Sequence, residues 1–163
     1  MNYTVEGLLT DSAIDDNLLG LKNKSFIELS DYSPAQRLAV IQQTIKNNQT
    51  NGNPDACDSL RGKTLVPIFD KQSTRTYAST VSAFQKLGGN IINIDSSKSQ
   101  IANGEPIKDT ARTLGNYADI IVARLSSQED LQEYKRNFKN YRRFNLPVIS
   151  GMTDFQQDRK SVV

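Results

Sequence analysis

The feature that most constrains the fold of this chain is an alternation of strand-like and helix-like segments, repeated over about ninety residues. Apolar runs of strand length lie at residues 65–69, 90–94, 119–124 and 146–149. The segments between them carry apolar residues at helical spacing, as in Leu131, Tyr134 and Phe138. Because parallel strands need a crossover connection, this order predicts an α/β domain. We expect a three-layer sandwich around a four-stranded or slightly larger parallel sheet.

Several helix boundaries are marked by residues that suit helix ends. Ser33 and Pro34 predict a helix start, because the hydroxyl can cap free amides and proline fits the first turn. In the helix that follows, Leu38, Ile41 and Ile45 share one face. Three further boundaries are marked in a similar way, by Gly88-Gly89, Pro106 and Ser127.

One residue argues against a regular interior strand. Pro67 lies inside the apolar run at residues 65–69. Proline has no N–H to donate to a neighbouring strand, and within sheets it is found mainly at edges and strand ends. We therefore expect this strand at an edge of the sheet, or the proline at a strand end.

The reactive side chains available to this chain are few. It contains no histidine and one cysteine, Cys57. This excludes Ser-His and Cys-His triads, histidine-bound zinc, multi-cysteine metal sites and an internal disulfide. We expect neither a metal nor another cofactor.

Charge and hydropathy argue against two classes of partner. The 20 Lys and Arg residues nearly balance the 18 Asp and Glu residues, for a formal net charge of +2. Such a balance gives no strong attraction to nucleic acid or to anionic lipid. The longest apolar runs are too short to span a bilayer, and the N-terminus does not resemble a signal peptide. We expect a cytoplasmic protein that binds neither nucleic acid nor membrane.

The length of 163 residues favours one domain with short appendages. Residues 1–24 have few apolar positions and are interpreted as an N-terminal arm. The α/β domain is predicted to span residues 25–155, followed by a tail at residues 156–163.

The most informative segment for function is DKQSTRT, residues 70–76, between the first strand and the next helix. Ligands of parallel sheets bind beyond the carboxyl ends of the strands, where residues 70–76, 95–105 and 124–127 are expected to lie. Hydroxyls, a guanidinium and the free amides of a helix N-terminus make this segment a candidate cradle for a phosphate or another oxyanion. It lacks the glycines and the Gly-Lys-Ser/Thr ending of a Walker loop. The alternative is an ordinary Ser/Thr helix cap beside a solvated arginine.

This segment resembles the carbamoyl-phosphate loop of the aspartate/ornithine carbamoyltransferases, in which Ser-Thr-Arg-Thr follows the first strand. The likeness covers about residues 25–155 and favours the ornithine branch. It continues, in order, through Leu87-Gly88-Gly89, Ser99-Gln100-Ile101, Gly104-Glu105, Lys108-Asp109-Thr110-Ala111-Arg112, Tyr117-Ala118-Asp119, Arg124, Pro147-Val148-Ile149 and Gly151-Met152-Thr153-Asp154.

The resemblance implies a role for each matching residue. The residues implied to hold the phosphate are Ser73, Thr74, Arg75 and Thr76. Arg124 would reach the phosphate and the carbamoyl oxygen, and Arg75 and Arg124 would be the catalytic cations. Gln100 would reach the site of a neighbouring subunit, because the active sites of this family form between the protomers of a trimer. Fixed cations and amides suit carbamoyl transfer, since negative charge develops on the carbonyl oxygen and on the departing phosphate.

Two of these residues also have simpler interpretations. Arg124 could form an ion pair with Glu129 or Asp130 in the following helix. Gln100 could be an ordinary loop amide.

The chain also departs from the family pattern. The family places a His-Pro-x-Gln motif after the Thr-Asp turn, whereas here Gln157 stands near the position of that histidine. Tyr77 replaces the arginine that usually follows the loop, and Asn103 stands near the position of another family cation. The family's second domain, which binds the amino-acid acceptor, is expected to be absent from this chain.

The resemblance implies that this chain is the carbamoyl-phosphate-binding half of an ornithine-type carbamoyltransferase. Enzymes of this family belong to amino-acid and arginine metabolism. We expect weak or no turnover by the isolated chain, because the histidine and the acceptor domain are both lacking. The alternative is a non-catalytic domain derived from that family, which binds carbamoyl phosphate or another anion, or serves to form oligomers.

Overall fold

The computed structural model describes residues 20–49, 59–70, 73–95, 100–139 and 146–151. The strands are β1 (Thr64–Phe69), β2 (Asn90–Ile91), β3 (Ile120–Arg124) and β4 (Val148–Ser150). The helices are α1 (Pro34–Gln49), α2 (Thr74–Lys86), α3 (Ile107–Leu114) and α4 (Gln128–Lys139), with short 3₁₀ turns at Leu29–Asp31 and Gln100–Asn103. The predicted alternation of strand and helix is confirmed.

The four strands form one parallel sheet in the order β2-β1-β3-β4. The longest pairing joins β1 to β3, from Leu65 opposite Ile120 to Phe69 opposite Arg124. Phe26 extends the sheet beyond β4 by a single parallel bridge to Ile149. The N–H of Phe26 donates to the Val148 carbonyl at 2.8 Å.

The predicted division of the chain into an arm at residues 1–24, a domain at residues 25–155 and a tail at residues 156–163 stays a prediction.

The two faces of the sheet are covered by different helices, which confirms the three-layer arrangement. Alternate residues of a strand point to opposite faces. On one face, Val66 and Ile121 pack with buried residues of α3 and α4, including Leu131. On the other face, Leu65 packs with Phe84 of α2. Each face therefore has an apolar core of its own.

The expectation that Pro67 marks an edge strand is wrong, because β1 lies between β2 and β3. The N–H of Ile92 donates to the Leu65 carbonyl on the β2 side, whereas the N–H of Asp70 donates to the Arg124 carbonyl on the β3 side. Backbone groups of successive strand residues point to alternate neighbours, so the nitrogen of Pro67 faces the β2 side. Pairing with β2 ends just before this position, at Ile91. The proline thus shortens β2, which was predicted to reach residue 94.

The predicted helix boundaries are confirmed by their capping bonds. The backbone N–H of Gln36 donates to the Ser33 hydroxyl at 3.2 Å, and the Ser33 N–H donates to the Gln36 side chain at 3.1 Å. This reciprocal pair is a capping box. Ser127 likewise accepts a hydrogen bond from the Asp130 N–H. Gly88 ends α2 with a φ of 81°, in the left-handed region that favours glycine.

The side of α1 that packs against the domain is not the face that carries Leu38, Ile41 and Ile45. Ile41 and Ile45 are 55% and 51% exposed, and Leu38 is half-buried. Ala39, by contrast, is fully buried. The small residue therefore makes the close approach to the domain, and the larger apolar side chains face outward. Within the described residues, no helix is both long enough and apolar enough to cross a membrane.

Candidate anion-binding site

The chain leaves β1 and β3 in opposite directions, an arrangement that opens a crevice in parallel sheets. These strands are neighbours, but β1 leads through α2 to β2 on one side, whereas β3 leads through α4 to β4 on the other. Such a reversal opens a gap at the carboxyl ends of the two strands, where ligands of parallel sheets bind. Asp70 and residues 124–127 follow these two strand ends, and residues 73–76 begin the helix after β1.

Arg124, the last residue of β3, reaches across this crevice to the start of α2. Its Nη1 donates to the Ser73 hydroxyl and to the Thr76 hydroxyl, both at 2.8 Å. Among the ion pairs of the described residues, none joins the guanidinium to Glu129 or Asp130. The simpler interpretation of Arg124 is therefore not what the structure shows.

The side chain of Ser73 is directed to the arginine instead of to its own helix. Ser73 is the N-cap residue of α2, and its carbonyl accepts from the Tyr77 N–H at 3.0 Å. Its hydroxyl makes no capping bond. The amides of the first helical turn are thus not satisfied by this side chain, which disfavours the interpretation of the segment as an ordinary Ser/Thr cap.

Thr74 and Arg75 lie on the exposed first turn of α2, beside the Ser73–Arg124–Thr76 contact. An exposed guanidinium next to free helix amides can bind an oxyanion from solvent. The structure therefore brings three of the predicted residues into direct contact and leaves Thr74 and Arg75 accessible beside them. Their roles in binding stay predictions.

Asp70 ties the two strand exits together, although sequence reasoning assigned it no role of its own. Its backbone N–H donates to the Arg124 carbonyl at 3.2 Å. Its Oδ2 accepts from the Ser126 N–H at 2.6 Å. The only sequence signal was its place at the end of a strand, next to the hydroxyl-rich segment.

Tyr77 forms a second link that was not predicted. Its hydroxyl donates to the Asn93 side-chain oxygen at 2.6 Å, and its ring packs edge-on against Phe69 with centroids 5.5 Å apart. This bond connects α2 to the segment that follows β2. The phenol therefore supplies a neutral link at this position.

Gln100, which was also predicted to bind the ligand, is not joined to this contact. Gln100 is exposed, and its hydrogen bonds stay within its own loop: it accepts from Asn103 at 3.3 Å and from the Glu105 N–H at 3.0 Å. Gln157 lies outside the described residues. Its place near the site stays a prediction.

A polar contact ties the loop of Gln100 to α3: the Thr110 hydroxyl donates to Glu105 at 2.7 Å. Burial raises the pKa of Tyr134 to about 12, and Asp130 and Glu105 add to this rise, whereas Thr110 opposes it. Tyr134 is therefore neutral at physiological pH. In the described part of the chain, no group of three or more acidic, histidine or cysteine side chains could hold a metal ion.

Comparison with known proteins agrees with this geometry. Residues 24–157 match the family described as aspartate/ornithine carbamoyltransferase, carbamoyl-P binding domain. This match covers most of the chain. The chain belongs to the aspartate/ornithine carbamoyltransferase family.

Individual carbamoyltransferases show the same similarity. The ornithine carbamoyltransferase of Synechococcus elongatus is 36% identical over 138 residues, which are 83% of this chain and 41% of that protein. The corresponding enzyme of Prochlorococcus marinus subsp. pastoris is 38% identical, with the same coverage. The chain therefore spans about two-fifths of the length of these relatives.

Solved carbamoyltransferase structures share the fold. The ornithine carbamoyltransferase from Pyrococcus furiosus matches with a TM-score of 0.70 and 34% identity, over 83% of this chain and 41% of that one. Aspartate transcarbamoylase from Trypanosoma cruzi in complex with carbamoyl phosphate also has a TM-score of 0.70, at 28% identity over 80% of this chain and 41% of that one. The crevice described above thus belongs to a carbamoyltransferase fold.

Proposed function

We propose that this chain binds carbamoyl phosphate in the crevice between β1 and β3 and forms the donor half of an ornithine-type carbamoyltransferase. The observation that carries the proposal is the pair of hydrogen bonds from the Arg124 guanidinium to Ser73 and Thr76. The family membership and the relatives, which are ornithine carbamoyltransferases, support the same assignment.

The chemistry of this contact suits a phosphate. Each hydroxyl accepts a hydrogen bond from the cation, which leaves its own O–H free to donate to a phosphate oxygen. The remaining N–H groups of Arg124, the Arg75 guanidinium and the free amides at the start of α2 supply further donors. These groups would also stabilise the negative charge that develops on the carbonyl oxygen and on the leaving phosphate during carbamoyl transfer.

Calorimetry with fresh carbamoyl phosphate, or with the stable analogue phosphonoacetamide, tests the donor site. We expect the wild-type chain to bind and Arg75→Ala to lose at least about tenfold in affinity, because charge-assisted hydrogen bonds are lost. Arg136→Ala, which removes an exposed arginine of α4, is the matched control and should bind like the wild type. Absence of binding by the wild-type chain would refute the proposal.

We propose that the isolated chain turns over slowly or not at all. The chain has no histidine, and Gln157 would supply at most a neutral donor to the carbonyl oxygen. Removal of one such preorganised donor commonly costs about a hundredfold or more in rate. The absence of histidine also favours the alternative function, a non-catalytic domain that binds the anion. A colorimetric assay for citrulline formed from ornithine and carbamoyl phosphate separates the two, since measurable turnover would exclude the non-catalytic alternative.

We further propose that the chain forms a trimer in the cytoplasm, in which Gln100 reaches the site of a neighbouring subunit. The exposure of Gln100 supports this proposal, because its side chain is accessible to a partner. Size-exclusion chromatography with light scattering measures the oligomeric state. In a trimer, Gln100→Ala should weaken binding of carbamoyl phosphate, whereas a strict monomer would leave Gln100 without this role.

A further inference from the structure

We infer that Asp70 is a positioning residue that holds Arg124 in place at the crevice, an inference that rests on the proposed function for its binding consequence. Asp70 follows β1 directly and contacts the turn at residues 124–126 at both ends. Its N–H donates to the Arg124 carbonyl at 3.2 Å, and its carboxylate accepts from the Ser126 N–H at 2.6 Å. One residue therefore holds the backbone on either side of the turn.

Leu125 lies between these two contacts, and its side chain is anchored on the other side of the turn. Leu125 is 5% exposed and belongs to the core beneath the sheet. The turn is thus fixed by Asp70 on its rim side and by Leu125 on its core side. The Arg124 side chain starts from this fixed backbone and ends with Nη1 2.8 Å from two hydroxyls.

Small displacements at this point matter because Nη1 of Arg124 serves two acceptors at once. A shift of about 1 Å in a group that positions a ligand can cost up to about a hundredfold in function. Without the Asp70 carboxylate, the Ser126 N–H loses its partner and the turn is held at one end only. We therefore expect Arg124 to lose its simultaneous contact with Ser73 and Thr76.

The charge of Asp70 and its hydrogen bond should have opposite effects on affinity for the anion. A carboxylate at the rim of an anion site repels the ligand, so removal of that charge alone should tighten binding. Asp70→Asn keeps an oxygen that can accept from Ser126 and removes the charge, whereas Asp70→Ala removes both. Glu129→Ala is the matched control, because it removes an exposed carboxylate near the start of α4 and neither hydrogen bond.

The first arm of the test uses the full chain without any ligand. The Arg124 Nε–H resonance in a ¹⁵N–¹H spectrum, assigned by its loss in Arg124→Lys, reports the environment of the guanidinium. We expect it to shift or broaden in Asp70→Ala, and to stay close to its wild-type position in Asp70→Asn and Glu129→Ala. An unchanged resonance in Asp70→Ala would overturn the inference, whether or not the chain binds carbamoyl phosphate.

The second arm measures the Kd for carbamoyl phosphate by calorimetry, with thermal unfolding recorded for each variant. Asp70→Ala should raise the Kd by about tenfold, and Asp70→Asn should stay within about threefold of the wild type. If Asp70→Ala instead lowers the Kd, Asp70 acts only as a rim charge and the inference fails. If the wild-type chain does not bind at all, the proposed function fails, and the ligand-free spectrum alone decides the role of Asp70.

Discussion

The guanidinium of Arg124 donates to the hydroxyl of Ser73 at 2.8 Å, between residues 51 positions apart in the chain. This contact, together with the bond from Arg124 to Thr76, joins the end of β3 to the start of α2. The contact with Arg124 also holds the Ser73 hydroxyl away from the amides of its own helix. The hydroxyl therefore makes no capping bond. The binding properties of this chain should therefore respond to changes at both ends of the contact.

Replacement of Arg124 by lysine should weaken binding of carbamoyl phosphate although the positive charge is kept. An ammonium is a compact point charge, whereas the planar guanidinium offers several donors in a fixed arrangement. The loss of charge-assisted hydrogen bonds is worth about 1.5–3 kcal/mol, or about ten- to a hundredfold in Kd. Calorimetry measures it, with Arg136→Lys as the control on an exposed helix surface. Equal affinities for the wild type and Arg124→Lys would contradict the role of the guanidinium.

Gly151→Ala should destabilise the fold and weaken anion binding together. A Cβ at this buried position would lie 3.3 Å from the Ala123 carbonyl oxygen and 3.3 Å from the Cβ of Arg124. Such overpacking costs about 1–3 kcal/mol and displaces its neighbours. Urea unfolding and calorimetry measure the two effects.

Gly62→Ala is the control for Gly151→Ala. Gly62 has a φ of 76° and nothing within 4 Å of an added Cβ, so its substitution strains the backbone far from Arg124. We expect about 1 kcal/mol of lost stability and an unchanged Kd. Parallel losses of affinity in both variants would show that stability, and not the position of Arg124, limits binding.

The stability of the chain should fall above pH 10 because of Tyr134. Burial raises the pKa of this phenol from 10.0 to about 12 in the folded protein. Below pH 10 the phenol is neutral in both the folded and the unfolded state, and its contribution to the free energy of unfolding is fully present. Between pH 10 and 12 the unfolded chain releases the proton first, so the free energy of unfolding decreases as pH rises, by up to about 3 kcal/mol in all. Urea unfolding between pH 9 and pH 11.5 measures this slope.

Tyr134→Phe should flatten that slope, since the titrating group is gone. Tyr117→Phe removes an exposed hydroxyl and is the matched control for the substitution. The assignment would be wrong if Tyr134→Phe kept the full pH dependence.

Tyr77→Phe should loosen the segment after β2 without disturbing the core. The variant keeps the edge-on ring contact with Phe69 and loses only the hydroxyl that donates to Asn93. We expect a loss of about 0.5–1.5 kcal/mol in unfolding free energy. A double-mutant cycle with Asn93→Ala tests the pair, because the second substitution should cost little once the hydroxyl is gone. Fully additive effects would show that this bond contributes nothing.

Local sequence patterns were sufficient to predict the strands and helices and to single out the hydroxyl-rich segment that follows β1. Periodicity and capping residues predicted the four strands and four helices, and the capping box at Ser33 and Gln36 matches the predicted helix start. Such signals act within a few residues, so they can be recognised without knowledge of the rest of the fold. The position of β1 in the sheet could not be predicted in this way. Pro67 indicated an edge, but its nitrogen faces the side where β2 has ended.

The sequence alone determined that this chain alternates strand and helix, and that hydroxyls and an arginine follow its first strand. Only the tertiary structure decided that β1 lies beside β3, and that Arg124 therefore reaches Ser73 and Thr76. The contact of Asp70 with Ser126 likewise joins residues 56 positions apart. Strand order depends on how helices cover the whole sheet, and a local pattern of apolar residues reports which positions are buried but not which distant segment lies beside them.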